Sequence, residues 1–187
     1  YLWVAQTRPG GRILLPWADS YTGMLVALTV DEQGIAAGGI VDESSFMWLR
    51  AQRVRRGPVG DVVGDDEDRA DVQMTGLHPS WVSTGNQGAR FAIGQQVPQC
   101  QWRYWPYDEQ DGVGVFWLLD FQSRSWAKLT HATPDASDDE FPVHQYGSRR
   151  LWDEVVVARQ WWVDQGRPGA DRWRFTVRPD GQRIELA

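Results

Sequence analysis

The sequence predicts the end of an α/β unit followed by an α+β domain. Short strand patterns fill residues 1–50, and strand patterns surround one long helical pattern in residues 76–187. Between them, residues 51–75 are poor in apolar side chains and rich in acidic ones. That composition is typical of a linker or a long loop. We therefore expect two structured parts joined by this segment.

The first part is predicted to contain three strands. A helical end at residues 1–7 stops at the Pro-Gly-Gly of residues 9–11, because Gly readily adopts the conformation that ends helices and Pro resists their continuation. The apolar run at residues 12–16 then predicts a buried strand. Runs at residues 24–30 and 35–41, separated by a turn, predict a hairpin.

The second part combines strands with one helix. A short strand is expected at residues 90–94, and an apolar strand at residues 113–120 is expected to pair with residues 126–131. Ser148 is the candidate N-cap of a helix that runs to about residue 165, where a Gly and a Pro follow. The last residues of the chain, around a Pro-Asp-Gly turn, predict a closing hairpin.

Composition narrows the classes of function. The chain has 187 residues, 42% of them hydrophobic, so it can bury a core without disulfides or metal. Its formal net charge of -6 argues against nucleic acid as a partner. The single cysteine, Cys100, excludes an intramolecular disulfide. No apolar run of transmembrane length and no signal-peptide pattern are present, so we expect no membrane partner and a cytoplasmic protein.

The segment QTRPGGRILLP at residues 6–16 resembles one shared by Rossmann-like methyltransferases, in which a helix ends at a Pro-Gly-Gly turn and feeds a buried strand. Its trailing Pro16 makes it similar to the protein-L-isoaspartate (D-aspartate) O-methyltransferase family. The predicted hairpin and the run FMWL at residues 46–49 follow in that family's order, where a similar Phe-x-Pro-Leu segment borders the substrate pocket. Trp48 stands where that proline would be, which predicts a different pocket edge. The resemblance implies that residues 1–50 are the last strands of a Rossmann-like methyltransferase sheet.

Segments of the second part are similar to a longer subgroup of that family, associated with the maturation of lanthipeptides and other ribosomal peptides. They are ARFAIG, WLLD, QYGSRRLWDE, WVDQGRPG and TVRPDGQ, at residues 89–94, 117–120, 145–154, 162–169 and 176–182. The resemblance therefore covers nearly all of the chain. It implies that residues 76–187 are a C-terminal accessory domain.

The resemblance also implies methyl transfer from S-adenosylmethionine to a carboxylate, with an aspartate or isoaspartate of a peptide or protein as the acceptor. Such an enzyme aligns the carboxylate with the methyl group and excludes water, and it needs no metal. This chain has no Gly-x-Gly-x-x-Gly motif after a strand, and Gly38 and Gly39 lie in the predicted hairpin. We therefore expect an upstream region to bind the cofactor and hold the catalytic residues. This chain alone is expected to be inactive and to bind no cofactor.

Two groups of residues are candidates for binding. Trp48, Leu49 and Arg50 match the family's pocket border, and Arg50 could form a bidentate pair with a substrate carboxylate. An ordinary sheet edge with a solvated arginine is the alternative. Arg149 and Arg150 open the predicted helix, where the helix dipole disfavours cations, so they are candidates for partner binding. Surface salt bridges are the alternative for this pair.

Other polar residues give weaker candidates. His78, His131 and His144 share no metal-ligand spacing, and His144 is expected to matter most because it directly precedes the QYGSRR segment. The acidic run at residues 61–71 lacks the spacing of a calcium loop, and the run at residues 138–140 is typical of a solvated loop rather than of paired catalytic carboxylates. We predict no metal site.

Three functions stay open. The first is the peptide carboxyl methyltransferase. The second is a module that recognises a precursor peptide while an upstream domain performs the chemistry. The third is a Trp-lined carbohydrate-binding module, which predicts several coplanar Trp side chains on one exposed face. The 12 tryptophans are equally explained by core packing.

Overall fold

The computed structural model describes residues 1–45, 56–132 and 140–187. In these ranges the chain is β-rich, with two five-stranded antiparallel sheets and four α-helices. The strands are β1 Arg12–Ala18, β2 Gly23–Val30, β3 Ala36–Glu43, β4 Asp71–Thr75, β5 Gln101–Asp108, β6 Val113–Asp120, β7 Ser125–His131, β8 Phe141–Tyr146, β9 Trp173–Arg178 and β10 Gly181–Leu186. The helices are α1 Leu2–Ala5, α2 Gly60–Val63, α3 Gln87–Gln96 and α4 Leu151–Asp164. None of the helices in these ranges has the length and apolar character needed to cross a membrane.

The first sheet has the strand order β1-β2-β3-β9-β10. Strands are confirmed at residues 12–16, 24–30 and 35–41, and the second and third form the predicted hairpin. The expected burial of the first strand is wrong, because β1 lies at the edge of the sheet, none of its residues is fully buried and Leu14 is 64% exposed. The predicted C-terminal hairpin is also confirmed as β9 and β10. Because β3 pairs with β9, this sheet contains strands from both parts of the chain that the sequence distinguishes.

Alternation along β2 sets the buried face of the first sheet, because every second residue of this strand is buried. These residues form one apolar cluster with Phe91 of α3, Trp162 of α4 and Phe175 of β9. The β2 residues concerned are Met24, Val26, Leu28 and Val30. Helices α3 and α4 therefore cover one face of the sheet.

The second sheet has the order β4-β8-β7-β6-β5, and the predicted pairing of residues 113–120 with residues 126–131 is confirmed as β6 with β7. The strand predicted at residues 90–94 is wrong, because these residues lie in α3. Asn86 caps this helix, since its side chain accepts a hydrogen bond from the backbone N–H of Ala89 at 3.1 Å. The apolar run was ambiguous because α3 is buried on most of its surface, which hides the helical period.

The predicted linker at residues 51–75 is folded over its described portion. Residues 71–75 form β4, an edge strand paired with β8. Val62 and Val63 of α2 are buried and pack in a cluster with Trp126 of β7. The many acidic side chains of this segment make its composition resemble that of a solvated loop, although it contains two buried valines.

Helix α4 packs on the second sheet, where Leu151 and Trp152 join Phe116 of β6 in the largest apolar cluster. The predicted helix is confirmed, but its N-cap is Arg150 rather than Ser148, and no Arg150 side-chain hydrogen bond caps it. The second sheet instead holds the start of the helix, because Gln145 of β8 accepts a hydrogen bond from the backbone N–H of Trp152.

Candidate anion-binding site

A cavity of about 250 Å³ lies where the end of β3 meets the β1–β2 turn, α3 and β5. Four charged residues line it: Arg56, Glu43 at the end of β3, Arg90 on α3 and Arg103 on β5. The lining therefore carries three positive side chains and one negative one. We call this space the arginine cavity.

Two hydrogen bonds hold Tyr21 of the β1–β2 turn beside the arginine cavity. The Tyr21 hydroxyl donates to the carbonyl oxygen of Val82 at 2.6 Å, and Trp102 Nε1 donates to the carbonyl oxygen of Tyr21 at 2.9 Å. Burial raises the pKa of the Tyr21 phenol, so this group stays a neutral donor. Tyr21 and Trp102 both line the cavity, so one wall is fixed by these hydrogen bonds.

Asp19 organises the turn between β1 and β2. Its Oδ1 accepts hydrogen bonds from the backbone N–H groups of Tyr21 and Thr22, both at 2.7 Å, and its Oδ2 accepts one from Gln95 Nε2 at 3.0 Å. Burial raises the pKa of Asp19 to about 6, although these hydrogen bonds favour the charged form. Gly94 makes room for the carboxylate, because a Cβ at that position would lie 2.1 Å from Asp19 Oδ2. The turn is thus tied to α3.

Replacing Asp19 by Asn is expected to remove a pH dependence of stability. A carboxyl whose folded pKa is about 6, against an ordinary value of 3.8, binds its proton more tightly in the folded state. The free energy of unfolding of the natural protein should therefore fall as the pH rises from about 4 to about 6. Asp19→Asn keeps the Oδ1 acceptor for the two backbone N–H groups but carries no charge. We expect the variant to have an equal or higher Tm at pH 7.5, and relatively less advantage at pH 4, in calorimetric scans.

The matched control is Asp31→Asn, which removes one negative charge from an exposed turn whose Oδ1 also accepts two backbone hydrogen bonds. If Asp19→Asn changed the Tm by the same amount at pH 4 and pH 7.5, burial of the Asp19 charge would not explain its effect.

Arg90 and Glu43 form a bidentate ion pair at the arginine cavity. Nη1 of Arg90 lies 2.8 Å from Oε1 of Glu43, and Nη2 lies 2.8 Å from Oε2. The Arg90 side chain is only 14% exposed, whereas that of Glu43 is 47% exposed. The Nε atom of Arg90 is buried without a hydrogen-bond partner among the described residues. Within this pair, Arg90 is therefore held in place by burial, whereas the carboxylate of Glu43 is accessible to water.

Arg103 adds a second cationic group. Its Nη1 donates to the carbonyl oxygen of Trp102 at 2.8 Å, and burial together with the positive charge of Arg56 lowers its pKa. The charges of Arg56 and Arg103 thus repel each other across the cavity lining, and a bound anion would relieve that repulsion. Two hydroxyl oxygens of the lining residues, Thr22 Oγ1 and Ser44 Oγ, are buried and have no partner among the described residues. This arrangement favours a ligand with an acidic group.

Comparisons with protein-family models, with curated proteins and with solved structures give no match for this chain.

The predicted substrate-edge residues Trp48, Leu49 and Arg50 lie outside the described residues. The described chain stops at Ser45 and resumes at Arg56, and both of these residues line the arginine cavity. The segment that resembles the family's pocket border, residues 46–49, therefore directly follows one lining residue, Ser45, and precedes the other, Arg56, by seven positions.

Arg149 and Arg150, the predicted partner-binding residues, lie away from the arginine cavity and make ion pairs within the chain. Arg149 pairs with Asp120 at 3.0 Å and with Glu154, and these two carboxylates raise its pKa. Arg150 pairs with Asp71 of β4 at 2.7 Å. These contacts correspond to the salt-bridge alternative, and binding of a partner by this pair stays a prediction.

Two of the three histidines meet in the structure. His78 Nε2 lies 3.2 Å from His131 Nδ1, both rings are buried, and His131 Nε2 lies 3.1 Å from the Tyr104 hydroxyl. His144, which was expected to matter most, lies half-buried on β8. The part of the chain that the structure describes contains no group of three or more His, Cys, Asp or Glu side chains that could hold a metal ion. Cys100 is buried, and burial raises the pKa of its thiol, which makes it a poor nucleophile.

Gly38 and Gly39 of β3 leave no space for S-adenosylmethionine beside their backbone. Gly38 and Gly39 would be the natural place for a close approach of a ligand to the backbone, but neighbouring strands fill the space. A Cβ on Gly38 would lie 1.9 Å from the carbonyl oxygen of Ala27, and a Cβ on Gly39 would lie 2.8 Å from Nη1 of Arg174. These glycines allow close packing within the first sheet, so we derive no reaction step through the cofactor.

Sequence reasoning missed the arginine cavity. Arg90 was placed in a predicted strand, Arg56 in a predicted linker, and neither Glu43 nor Arg103 was singled out. These four residues come from separate segments, and only the pocket-border resemblance of residues 46–49 pointed to this region.

Proposed function

We propose that this chain is the C-terminal portion of an S-adenosylmethionine-dependent carboxyl O-methyltransferase that acts on aspartate or isoaspartate in a peptide or protein. The arginine cavity receives an acidic group of that substrate. One observation carries the proposal: Ser45, which lines the cavity, directly precedes the segment that resembles the family's pocket border. A carboxyl methyltransferase must bind an anionic acceptor, and three arginines line this space.

The first sheet supports the same proposal. A strand after the Pro-Gly-Gly turn that lay at the surface, unpaired and unconnected to the hairpin, would have opposed it. Strand β1 is an edge strand with Leu14 exposed, but it pairs with β2 along its whole length, and β2 pairs with β3. We take β1, β2 and β3 as the last strands of a Rossmann-like sheet, and we assign cofactor binding and the catalytic residues to an upstream region.

The arginines act in binding and orientation. A guanidinium group holds a carboxylate through two parallel hydrogen bonds, which fixes its plane as well as its position. A bidentate pair uses one lone pair on each carboxylate oxygen, so an oxygen of the bound carboxylate keeps a lone pair with which it can attack a methyl carbon. The cavity is therefore suited to bind the acceptor carboxylate and to orient it for methyl transfer.

A peptide-recognition module without chemistry of its own is the runner-up, because the same cavity would serve it. A carbohydrate-binding module has less support. Five of the tryptophans are buried in the apolar clusters, which supports core packing. Among the described residues, the exposed tryptophans are Trp3, Trp81 and Trp105, and they lie on three different elements.

Methyl-ester formation tests the proposal. With the protein that includes the upstream region, we expect base-labile methyl esters on aspartyl or isoaspartyl peptides and none on asparaginyl peptides. Arg103→Gln removes one cation from the cavity and should raise KM about tenfold with little change in kcat, because a bidentate pair contributes about 1.5 kcal/mol or more to binding. Arg178→Gln, at an exposed position of β9, is the control and should leave both constants unchanged.

The outcomes separate the candidates. Binding of acidic peptides without any methyl ester would favour the recognition module. A folded protein that neither binds nor methylates acidic peptides would rule out both.

A further inference from the structure

We infer that Glu43 occupies the place on Arg90 that a ligand carboxylate takes, so that a ligand enters the arginine cavity by exchange of one carboxylate for another. This inference rests on the proposed use of the cavity for an acidic group. It adds the residue that receives the ligand and the residue that the ligand displaces.

The geometry of the pair defines the chemistry of the ligand. Both Nη atoms of Arg90 are engaged by the two oxygens of one carboxylate, at 2.8 Å each. This site on Arg90 is therefore already shaped for a planar carboxylate. A neutral amide offers only one oxygen and no charge, so it cannot replace Glu43 on equal terms.

The unequal burial of the two partners decides which one moves. Arg90 is 14% exposed and belongs to α3, so leaving its guanidinium unpaired would be costly. Glu43 is 47% exposed and stands at the end of β3, so its carboxylate can return to water at little cost. Exchange keeps Arg90 paired throughout, and only the identity of the carboxylate changes.

Exchange also gives the cavity its selectivity. In the absence of ligand, Glu43 neutralises Arg90 and reduces the attraction of the cavity for weakly charged molecules. A ligand must therefore compete as a carboxylate. The positive charges of Arg56 and Arg103, which lie on the same lining, attract an incoming carboxylate to the cavity.

Replacing Glu43 by Gln tests the inference with residues 1–187. The probe is a capped peptide with a single aspartate, compared with its asparagine counterpart, and binding is followed by NMR through Arg90 Nε–H and the Trp102 indole N–H. We expect Glu43→Gln to bind the aspartyl peptide about three- to tenfold more tightly, the range expected for losing one competing, partly exposed ion pair. Affinity for the asparaginyl peptide should stay unchanged.

Asp42→Asn is the matched control, because it removes the same charge from the neighbouring residue, which does not line the cavity. Its Oδ1 can still accept the hydrogen bond from the Glu43 backbone N–H, now at 2.7 Å. An equal gain in Asp42→Asn, or no gain in Glu43→Gln, would overturn the inference. If Glu43→Gln unfolds, Glu43→Met gives the same readout.

The two proposals fail in different ways. If methyl esters form but Glu43→Gln does not lower the KM, the methyltransferase proposal holds and the carboxylate exchange is wrong. If Glu43→Gln binds aspartyl peptides more tightly but the longer protein forms no methyl ester, the exchange holds and the methyltransferase proposal is wrong.

Discussion

Gly38→Ala is expected to destabilise the fold by about 3 kcal/mol or more, at the upper end of the range for inserting a group into a packed interior. A Cβ at this position would lie 1.9 Å from the carbonyl oxygen of Ala27 and 2.9 Å from Cα of Leu28. Both are backbone atoms of β2, which cannot rotate away as a side chain can. Gly38 also pairs with strands on both sides, opposite Leu28 and Phe175, so β3 cannot shift towards either.

Urea unfolding measures this effect, and Gly60→Ala is its control. Gly60 is the first residue of α2, and a Cβ there would meet nothing within 4 Å. Ala is the better helix former, so Gly60→Ala should be neutral or stabilise by up to about 1 kcal/mol. If the two variants unfolded at similar urea concentrations, close strand packing at Gly38 would not be a constraint on the fold.

Five of the strands that the sequence predicted share one property: each is an apolar run bounded by turn residues. Strands β1, β2, β3, β6 and β7 belong to this group. Strand β4 does not, because it is an edge strand with Asp71 and Gln73 among its residues and with no fully buried position. An edge strand of this kind has no pattern that separates it from a loop.

Helix α3 was missed for the opposite reason. Ala89, Phe91, Ala92 and Ile93 are all buried, so the helix has apolar contacts on several sides and the 3.6-residue period disappears. Its residues divide between the cores of the two sheets, since Phe91 packs with the first sheet and Ile93 with the second. Only the three-dimensional arrangement of two sheets around one helix explains that pattern.

The arginine cavity was beyond sequence reasoning because its ion pair joins distant segments. Arg90 and Glu43 are 47 positions apart, and each is an ordinary charged residue in its own local context. Arg149 also shows that local sequence context does not reveal ion pairs between distant segments. The helix dipole argument marked it as a partner-binding candidate, but its carboxylate neighbours include Asp120, which lies 29 positions away on β6. A charge that looks unfavourable in its own helix can be paired across the fold.

Gln145→Met is expected to cost about 2 to 4 kcal/mol of unfolding free energy, because it leaves a buried backbone donor without a partner and removes a hydrogen bond to a charged group. Gln145 lies on β8 and is completely buried. Its Oε1 accepts a hydrogen bond from the backbone N–H of Trp152 at 2.8 Å, and its Nε2 donates to Oδ1 of Asp153 at 3.0 Å. The side chain of the N-cap residue Arg150 makes no capping hydrogen bond to α4, so Gln145 supplies the cap from another element.

Gln73→Met separates this capping role from the contact with Asp153. Gln73 Nε2 donates to the same Oδ1 atom of Asp153, at 2.6 Å, but Gln73 makes no hydrogen bond to the backbone of α4. Its replacement removes hydrogen bonds to charged groups at a half-buried position but leaves no backbone donor unpaired, so it should cost about 1.5 kcal/mol. Chemical unfolding of both variants, together with the amide NMR shift of Trp152, provides the comparison. Equal losses in the two variants would mean that Gln145 matters through Asp153 alone, whereas a larger loss in Gln145→Met, with a displaced Trp152 amide signal, assigns the start of α4 to a side chain of the second sheet.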